Sequence, residues 1–242
     1  MCDRLRHALR GNWLAALGLC LMFLPAAAGS QSGAMPADTI ETRMLACSSC
    51  HGLHGEGTTD PFFPRLAGKP AGYLYNQLAA FRSGQRHYSP MNYLLEFQTD
   101  AYLHLIAEYF ASQRPPFLPH QPAAVSNAVL QHGQDLVTHG GPKRGIPACV
   151  GCHNPALTGM EPAIPGLLGL KSAYISAQLG AWRYGTRTAA APDCMQTIAG
   201  RLSEEDVTAV AAWLASLPAP LDATPVPHGT LAMPLVCGSE PN

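Results

Sequence analysis

The sequence predicts an all-α protein made of two tandem copies of one small domain, and three observations carry that expectation. The chain repeats itself: "PRLAGKPAGYLYNQLAAFRSGQR" (64–86) and "PGLLGLKSAYISAQLGAWRYGTR" (165–187) share Pro64, Leu66, Gly68, Tyr73, Gln77, Leu78, Arg82, Gly84 and Arg86 at a constant offset of 101, and Phe81 meets Trp182. Self-similarity at one fixed period marks a duplicated structural unit. Within each copy the apolar residues follow the 3.6-residue period of an amphipathic helix. No stretch alternates apolar and polar residues as a half-buried strand does.

The elements follow in order. Arg4, Arg6 and Arg10 precede the apolar run "WLAALGLCLMFLPAAAG" (13–29), which ends in small residues at Ala26, Ala27 and Ala28. A basic head, an apolar core shorter than the ~20 residues of a spanning helix and a small-residue cleavage site form a secretory signal. It is expected over 1–30, the alternative being an uncleaved anchor; the mature chain then starts near Gln31, outside the cytoplasm and with no membrane span. The first domain, 31–114, holds one helix with Tyr73, Leu74, Gln77, Leu78 and Phe81 on a single face and another with Leu103, Ile106, Ala107 and Phe110 inward. Four prolines in "RPPFLPHQP" (114–122) deny helix and favour an extended linker over 115–122.

The second domain, 123–217, opens with a helix patterned by Val125, Val129, Leu130, Leu136 and Val137. A second helix places Tyr174, Ile175, Gln178, Leu179 and Trp182 on one face. A last one buries Val207, Val210, Ala211 and Leu214; Ser203 caps it, Asp206 reaches back, and it stops before Pro218. The tail, 218–242, is proline-rich and expected to be irregular unless Cys237 ties it back. Domains this small bury a modest core and often need a cofactor or crosslink.

Charge and cysteine content narrow the function. The 242 residues carry a formal charge of -1, and loss of three arginines and one aspartate with residues 1–30 takes it to -3, which excludes a basic field for nucleic acid. Lys69, Lys143 and Lys171 are the only lysines, too few for a strongly charged docking face. Of eight cysteines, Cys2 and Cys20 lie in the signal, four form "CSSCH" (47–51) and "CVGCH" (149–153), and Cys194 and Cys237 remain. Exported thiols rarely stay free, so parity leaves a Cys194–Cys237 disulfide or two free thiols to be decided.

A zinc ribbon would merge the two Cys-x-x-Cys pairs, but those pairs normally stand ~15 to 20 residues apart, and here each belongs to its own copy. A thioredoxin-like dithiol needs alternating strands and helices. Neither explains the histidine. Cys-x-x-Cys-His is the attachment signature of c-type haem: on a helix, thiols at i and i+3 face one side to bond two vinyl groups, and the next residue offers an imidazole to iron. Cys47, Cys50, Cys149 and Cys152 are thus expected to bind two haems covalently, with His51 and His153 as axial ligands. For the other axial position Met91 ("SPMNY") and Met195 ("APDCMQT") recur at matched places, 40 and 42 residues after their histidines. A lone Met is usually core filler, but this recurrence favours ligation; Met160 is a rival in the second copy without a counterpart in the first.

With the signal, both motifs, "P-x-L-x-G" after each, the distal methionines and "IAGRLSEEDVTAVAAWLASL" in hand, the chain resembles the class I cytochromes c, specifically the dihaem cytochrome c4 type, over roughly 37–217. The fold implied is all-α, two tandem cytochrome c-like haem domains. The resemblance further implies that the Pro64 and Pro165 carbonyls accept a bond from the ligand imidazoles, fixing ring orientation. After its methionine the first copy departs from the usual pattern, "MNYLLEF". Arg82, Arg86, Arg183 and Arg187 either bind haem propionates or are solvated; Tyr73 and Tyr174 are core aromatics or propionate partners. His54, His87, His104, His120, His132 and His139 do not recur and are expected at the surface or in caps.

His/Met ligation fills both axial positions and suits electron transfer rather than bond chemistry. The expected function is a periplasmic dihaem carrier, not an enzyme, between a quinol-oxidising complex or dehydrogenase and a terminal oxidase or reductase, docking through small transient faces. The alternatives are a cytochrome subunit of a membrane or periplasmic dehydrogenase complex, and a dihaem peroxidase-like enzyme.

Overall fold

The computed structural model describes residues 37–119 and 124–240. The expected signal over 1–30 and His120 lie outside the described residues. Helices dominate, arranged as two lobes with separate apolar cores.

In the first lobe α1 (Ile40–His51) starts on a reciprocal cap between Thr39 and Thr42 and ends at Gly52, whose φ of 81° is a glycine conformation. Then follow α2 (Ala71–Arg82), α3 (Ser89–Leu95) and α4 (Asp100–Ser112), the last capped by Thr99. The face expected on α4 is the one buried: Leu103 and Phe110 are 0% and 2% exposed and sit with Met44, Leu74, Phe81 and Leu95. Each such side chain contributes about 1.5–3 kcal/mol by leaving water.

The second lobe contains α5 (Asn127–His139), α6 (Val150–His153), α7 (Ser172–Arg183), α8 (Cys194–Ala199) and α9 (Glu204–Ser216). Ser203 and Asp206 form the capping box read from "SEED". Asp206 does more than cap: its buried carboxylate also meets Arg144 and, at 2.7 Å, His132, tying α9 to α5. The two helices cross at Gly133, where a Cβ would overlap the Ala209 carbonyl and lie 2.9 Å from Trp213 Cβ. A side chain at that point would force the backbones apart.

The copies differ where each meets its motif. In the first, "CSSCH" ends the unbroken helix α1; in the second, α5 stops at Gly140 and "CVGCH" supplies all of the separate short helix α6, with Cys149 before its first residue. A two-residue antiparallel ribbon, β1 (Gly159–Met160) with β2 (Ile164–Pro165), is the strand structure among the described residues, too short to leave an alternating pattern. Met160 is 1% exposed and packs as core.

The described linker residues, 115–119, are extended but anchored. Arg65 donates to the Pro115 and Pro116 carbonyls at 2.6 and 3.0 Å and stacks on Phe117 at 4.1 Å. The tail has no helix, yet it is fixed: Val226 exchanges backbone bonds with Gly159 and Glu161, Glu240 accepts from the Ala163 amide, and Cys237 is disulfide-bonded to Cys194. The parity argument is thereby decided for the disulfide.

Candidate functional site

Each motif histidine is held by the same bond. His51 Nδ1 donates to the Pro64 carbonyl at 3.0 Å, and His153 Nδ1 to the Pro165 carbonyl at 2.7 Å. Donation through Nδ1 fixes the tautomer and leaves the Nε2 lone pair for a metal. Burial pushes both imidazoles below the usual histidine range, while the proline carbonyls oppose the shift; both rings stay neutral, as a ligand must be.

The thiols are equally informative. Burial raises the Cys47 and Cys152 thiols above the usual range and the Cys149 thiol to about 12. Such groups are poor thiolates, the reverse of a redox dithiol. Among the described residues no three His, Cys, Asp or Glu side chains gather as a metal-binding group, and the two Cys pairs lie in different lobes, so a shared zinc site has no basis.

In the second lobe a cavity of about 260 Å³ is lined by Cys149, Cys152, His153, Pro165 and Met195, and it extends to Tyr73 and Gln77 of the first lobe. Met195 therefore shares the cavity with its motif, whereas the rival Met160 is sealed in the ribbon. Asp193 caps α8 through the Gln196 amide at 3.0 Å, and the disulfide at Cys194 clamps the residue beside Met195. In the first lobe Met91 and Cys47 pack on the same core. Asn92 holds that methionine's helix by donating to the Phe81 and Arg86 carbonyls at 2.5 and 2.9 Å.

Between the lobes lies an arrangement the sequence reading left open. Arg86 and Arg187 are 8% and 3% exposed and pair as a short bridge. Arg86 bonds Gln77, Gln178 and Tyr174 at 3.0, 2.7 and 3.0 Å; Arg187 bonds Gln178 and Gln77 at 2.8 and 2.6 Å. They stack on Phe81 and Trp182 at 4.4 and 3.6 Å. These partners are neutral, and burial, with Arg86 next to it, pushes Arg187 down to about 10. Two buried cations side by side call for anions. The four arginines of the repeat thus part company: Arg82 pairs with Asp100 at 2.5 Å, and Arg183 leans on the Tyr184 ring at 5.6 Å.

One buried polar side-chain atom has no partner among the described residues, Trp182 Nε1, and Trp182 lines the cavity. An orphan N–H, the Arg187 guanidinium with its neutral partners, two thiols, a neutral imidazole and a thioether around one cavity are the complement of a haem with its propionates. The residues fit that group. Gln77 and Gln178 were identical in the repeat but drew no functional reading; Asn92 and Trp182 Nε1 left no signal beyond residue type. The exposed His54, His87, His104 and His139 lie outside both groupings, and Tyr73 and Tyr174 face the seam.

A fold of two helical lobes, each with a Cys-x-x-Cys-His motif whose imidazole is held by a proline carbonyl, defines a double c-type haem protein. Comparison with known proteins gives the family. The cytochrome c family model matches residues 40–102 and 131–218, and the chain belongs to that family, in its dihaem cytochrome c4 branch. It is 36% identical over 174 residues to the thiosulfate dehydrogenase electron acceptor of Thiomonas intermedia, covering 72% of this chain and 79% of that one. It is likewise 36% identical over 179 residues to cytochrome c4 of Pseudomonas aeruginosa, covering 73% and 86%. Reduced cytochrome c4 from Pseudomonas stutzeri superposes with a TM-score of 0.64 at 31% identity, over 76% of this chain and all of that one. Thiosulfate dehydrogenase from Marichromatium purpuratum gives 0.63 at 34% identity, over 71% of this chain and 36% of that chain. The protein carries two covalently bound haem c groups and is a dihaem electron carrier with redox partners. No helix among the described residues is long and apolar enough to cross a membrane.

Proposed function

We propose that this chain is a periplasmic electron shuttle rather than an enzyme, with haems bound through Cys47 and Cys50 in a domain spanning 31–114 and through Cys149 and Cys152 in a domain spanning 123–217. A signal over 1–30, a linker over 115–122 and a tail over 218–242 complete the organisation. His51 and Met91 are the axial ligands of the first iron, His153 and Met195 those of the second; Pro64 and Pro165 orient the histidines. Arg86, Arg187 and Trp182 face the propionates. Haem supplies a one-electron couple when bound. The chain's own residues keep the axial positions occupied, exclude water and neutralise the carboxylates at the seam.

The observation that carries this reading is Met195 lining one cavity with Cys149, Cys152 and His153. With both axial positions filled, no coordination site is left for a substrate. The donor we favour is a dehydrogenase, because relatives from Thiomonas intermedia and Stutzerimonas stutzeri are named as electron acceptors of thiosulfate dehydrogenase; the acceptor is a terminal oxidase or reductase. Replacement of Met91 or Met195 by alanine, one at a time, is expected to halve the methionine-to-iron absorption near the red end and to open one haem to carbon monoxide. A wild-type spectrum in either variant would refute that ligand. Rapid mixing with thiosulfate dehydrogenase plus thiosulfate, against a quinol-oxidising complex, tests the donor.

A further inference from the structure

The two iron sites carry the same expected ligands, and Arg86 beside the first is answered by Arg187 at the second, but one further cation has no counterpart in the repeat. Lys69 belongs to the first lobe, in the loop before α2, yet its Nζ donates at 2.9 Å to the carbonyl of Gly166 in the second. Gly166 directly follows Pro165, whose own carbonyl holds His153. The lysine lines the second-lobe cavity, and among the described ion pairs none includes it. Burial pushes its ammonium down to about 8, and its charge in turn disfavours a protonated His153.

The first site has Arg86, whose charge disfavours a protonated His51, but Arg187 matches it at the second; Lys69 is the cation without a match. The residue matching Lys69 at offset 101 is Leu170. Lys171 does cross the other way, but to the Thr58 and Thr59 carbonyls rather than to the residue next to Pro64, in a separate small cavity lined by Glu56, Asp60, Pro64 and Arg65.

We propose that Lys69 is a positioning residue lent by the first lobe to the second haem site, where it raises that haem's affinity for an electron relative to the first. Reduction lowers the charge on the iron by one, so a nearby fixed cation stabilises the reduced form. By withdrawing electron density from the loop that holds His153, the ammonium also weakens the proline carbonyl as an acceptor, which makes the imidazole a poorer donor to ferric iron. Both effects have the same sign. An electron arriving at the first lobe is then drawn to the second.

The inference rests on the ligand assignment above, and its test separates the two. Holoprotein carrying Lys69→Met, Lys69→Arg or Lys171→Met is titrated spectroelectrochemically, with each haem followed by its own methyl resonances in NMR. In Lys69→Met the second haem's reduction constant is expected to fall by about tenfold, the order set by one partly desolvated charge, which is a shift of about 59 mV for one electron. The first haem stays within about twofold; Lys69→Arg retains the wild-type value, and Lys171→Met moves neither haem by more than that. An unchanged second haem in Lys69→Met, or an equal fall at both haems from a loosened seam, would overturn the proposal. So would loss of the methionine-to-iron band in that variant, since Lys69 would then hold ligands rather than tune them. Absence of the band from the wild type would instead sink the ligand assignment itself.

Discussion

Cutting the Cys194–Cys237 disulfide is the sharpest probe of the second lobe, because one bond fixes both the tail and the residue next to Met195. The cysteines are 43 residues apart in sequence. Closing a loop of that length in the unfolded chain removes about 13 cal/mol/K of entropy in the chain-entropy model, so the bond is worth about 4 kcal/mol at 25 °C. Hydrogen bonds donated by the Val226 and Gly238 amides and accepted by the Glu240 carboxylate remain available to the tail, but each is worth only about 1 kcal/mol once the strap is free to leave. The double substitution Cys194→Ser with Cys237→Ser is therefore expected to destabilise the second lobe by 2–4 kcal/mol. Guanidinium unfolding of the holoprotein, followed at the second haem, measures it. The freed segment between 218 and 236 should be cleaved first by a dilute protease, and carbon monoxide should enter the second site faster. An unchanged midpoint together with an uncut tail would refute the reasoning, showing that the strap holds without its bond.

Other outcomes follow from particular contacts. Gly133→Ala gains helix propensity worth about 1 kcal/mol, yet its Cβ overlaps the Ala209 carbonyl, so a net loss of about 1–3 kcal/mol is expected by thermal unfolding. Gly180→Ala, with nothing within 4 Å of the new carbon, serves as the control and should stabilise by up to about 1 kcal/mol. Burial works to raise the Asp206 carboxyl, but bonds from Arg144, the Ser203 amide and His132 hold it well below the usual carboxylate range. A depressed folded-state value adds stability above the unfolded pKa of about 3.9 and loses it as pH falls further, so Asp206→Asn should cost about 2 kcal/mol at pH 6 and progressively less below pH 4 in acid-dependent unfolding. Arg187→Leu should lower the unfolding stability of the haem-loaded protein by about 1–3 kcal/mol; an unchanged midpoint would mean that no anion faces it.

Much of this architecture was legible because duplication doubled every signal. The repeat gave the two lobes, the proline carbonyls matched to the two motif histidines are the ones they bond, and helical periodicity placed α4 and α9 with the buried faces found. What escaped were features set by contacts distant in sequence. The Arg86 and Arg187 readings stayed balanced because nothing local distinguishes a guanidinium at a seam from one in water. Lys69 entered only as one of three lysines and Arg65 drew no reading, and only folding aims one at Gly166 and the other at the linker carbonyls. The β1–β2 ribbon was too short for its period to register. Asn92 does locally for Met91 what Asp193 and the disulfide do for Met195, and no comparison of the two copies aligns these unlike solutions.

The seam between the lobes has the form of an isologous interface. Gln77 of one copy meets Arg187 of the other, Gln178 meets Arg86, and the two arginines pair across what would be a two-fold axis. That is the contact pattern of a symmetric homodimer, here closed within a single polypeptide. A single copy bearing one Arg, one Gln and one aromatic at these positions carries a complete, self-complementary patch. Joining two copies by a linker makes their encounter independent of protein concentration, and it leaves each half free to differ from its twin, which is the condition for a lysine on one side and a leucine on the other.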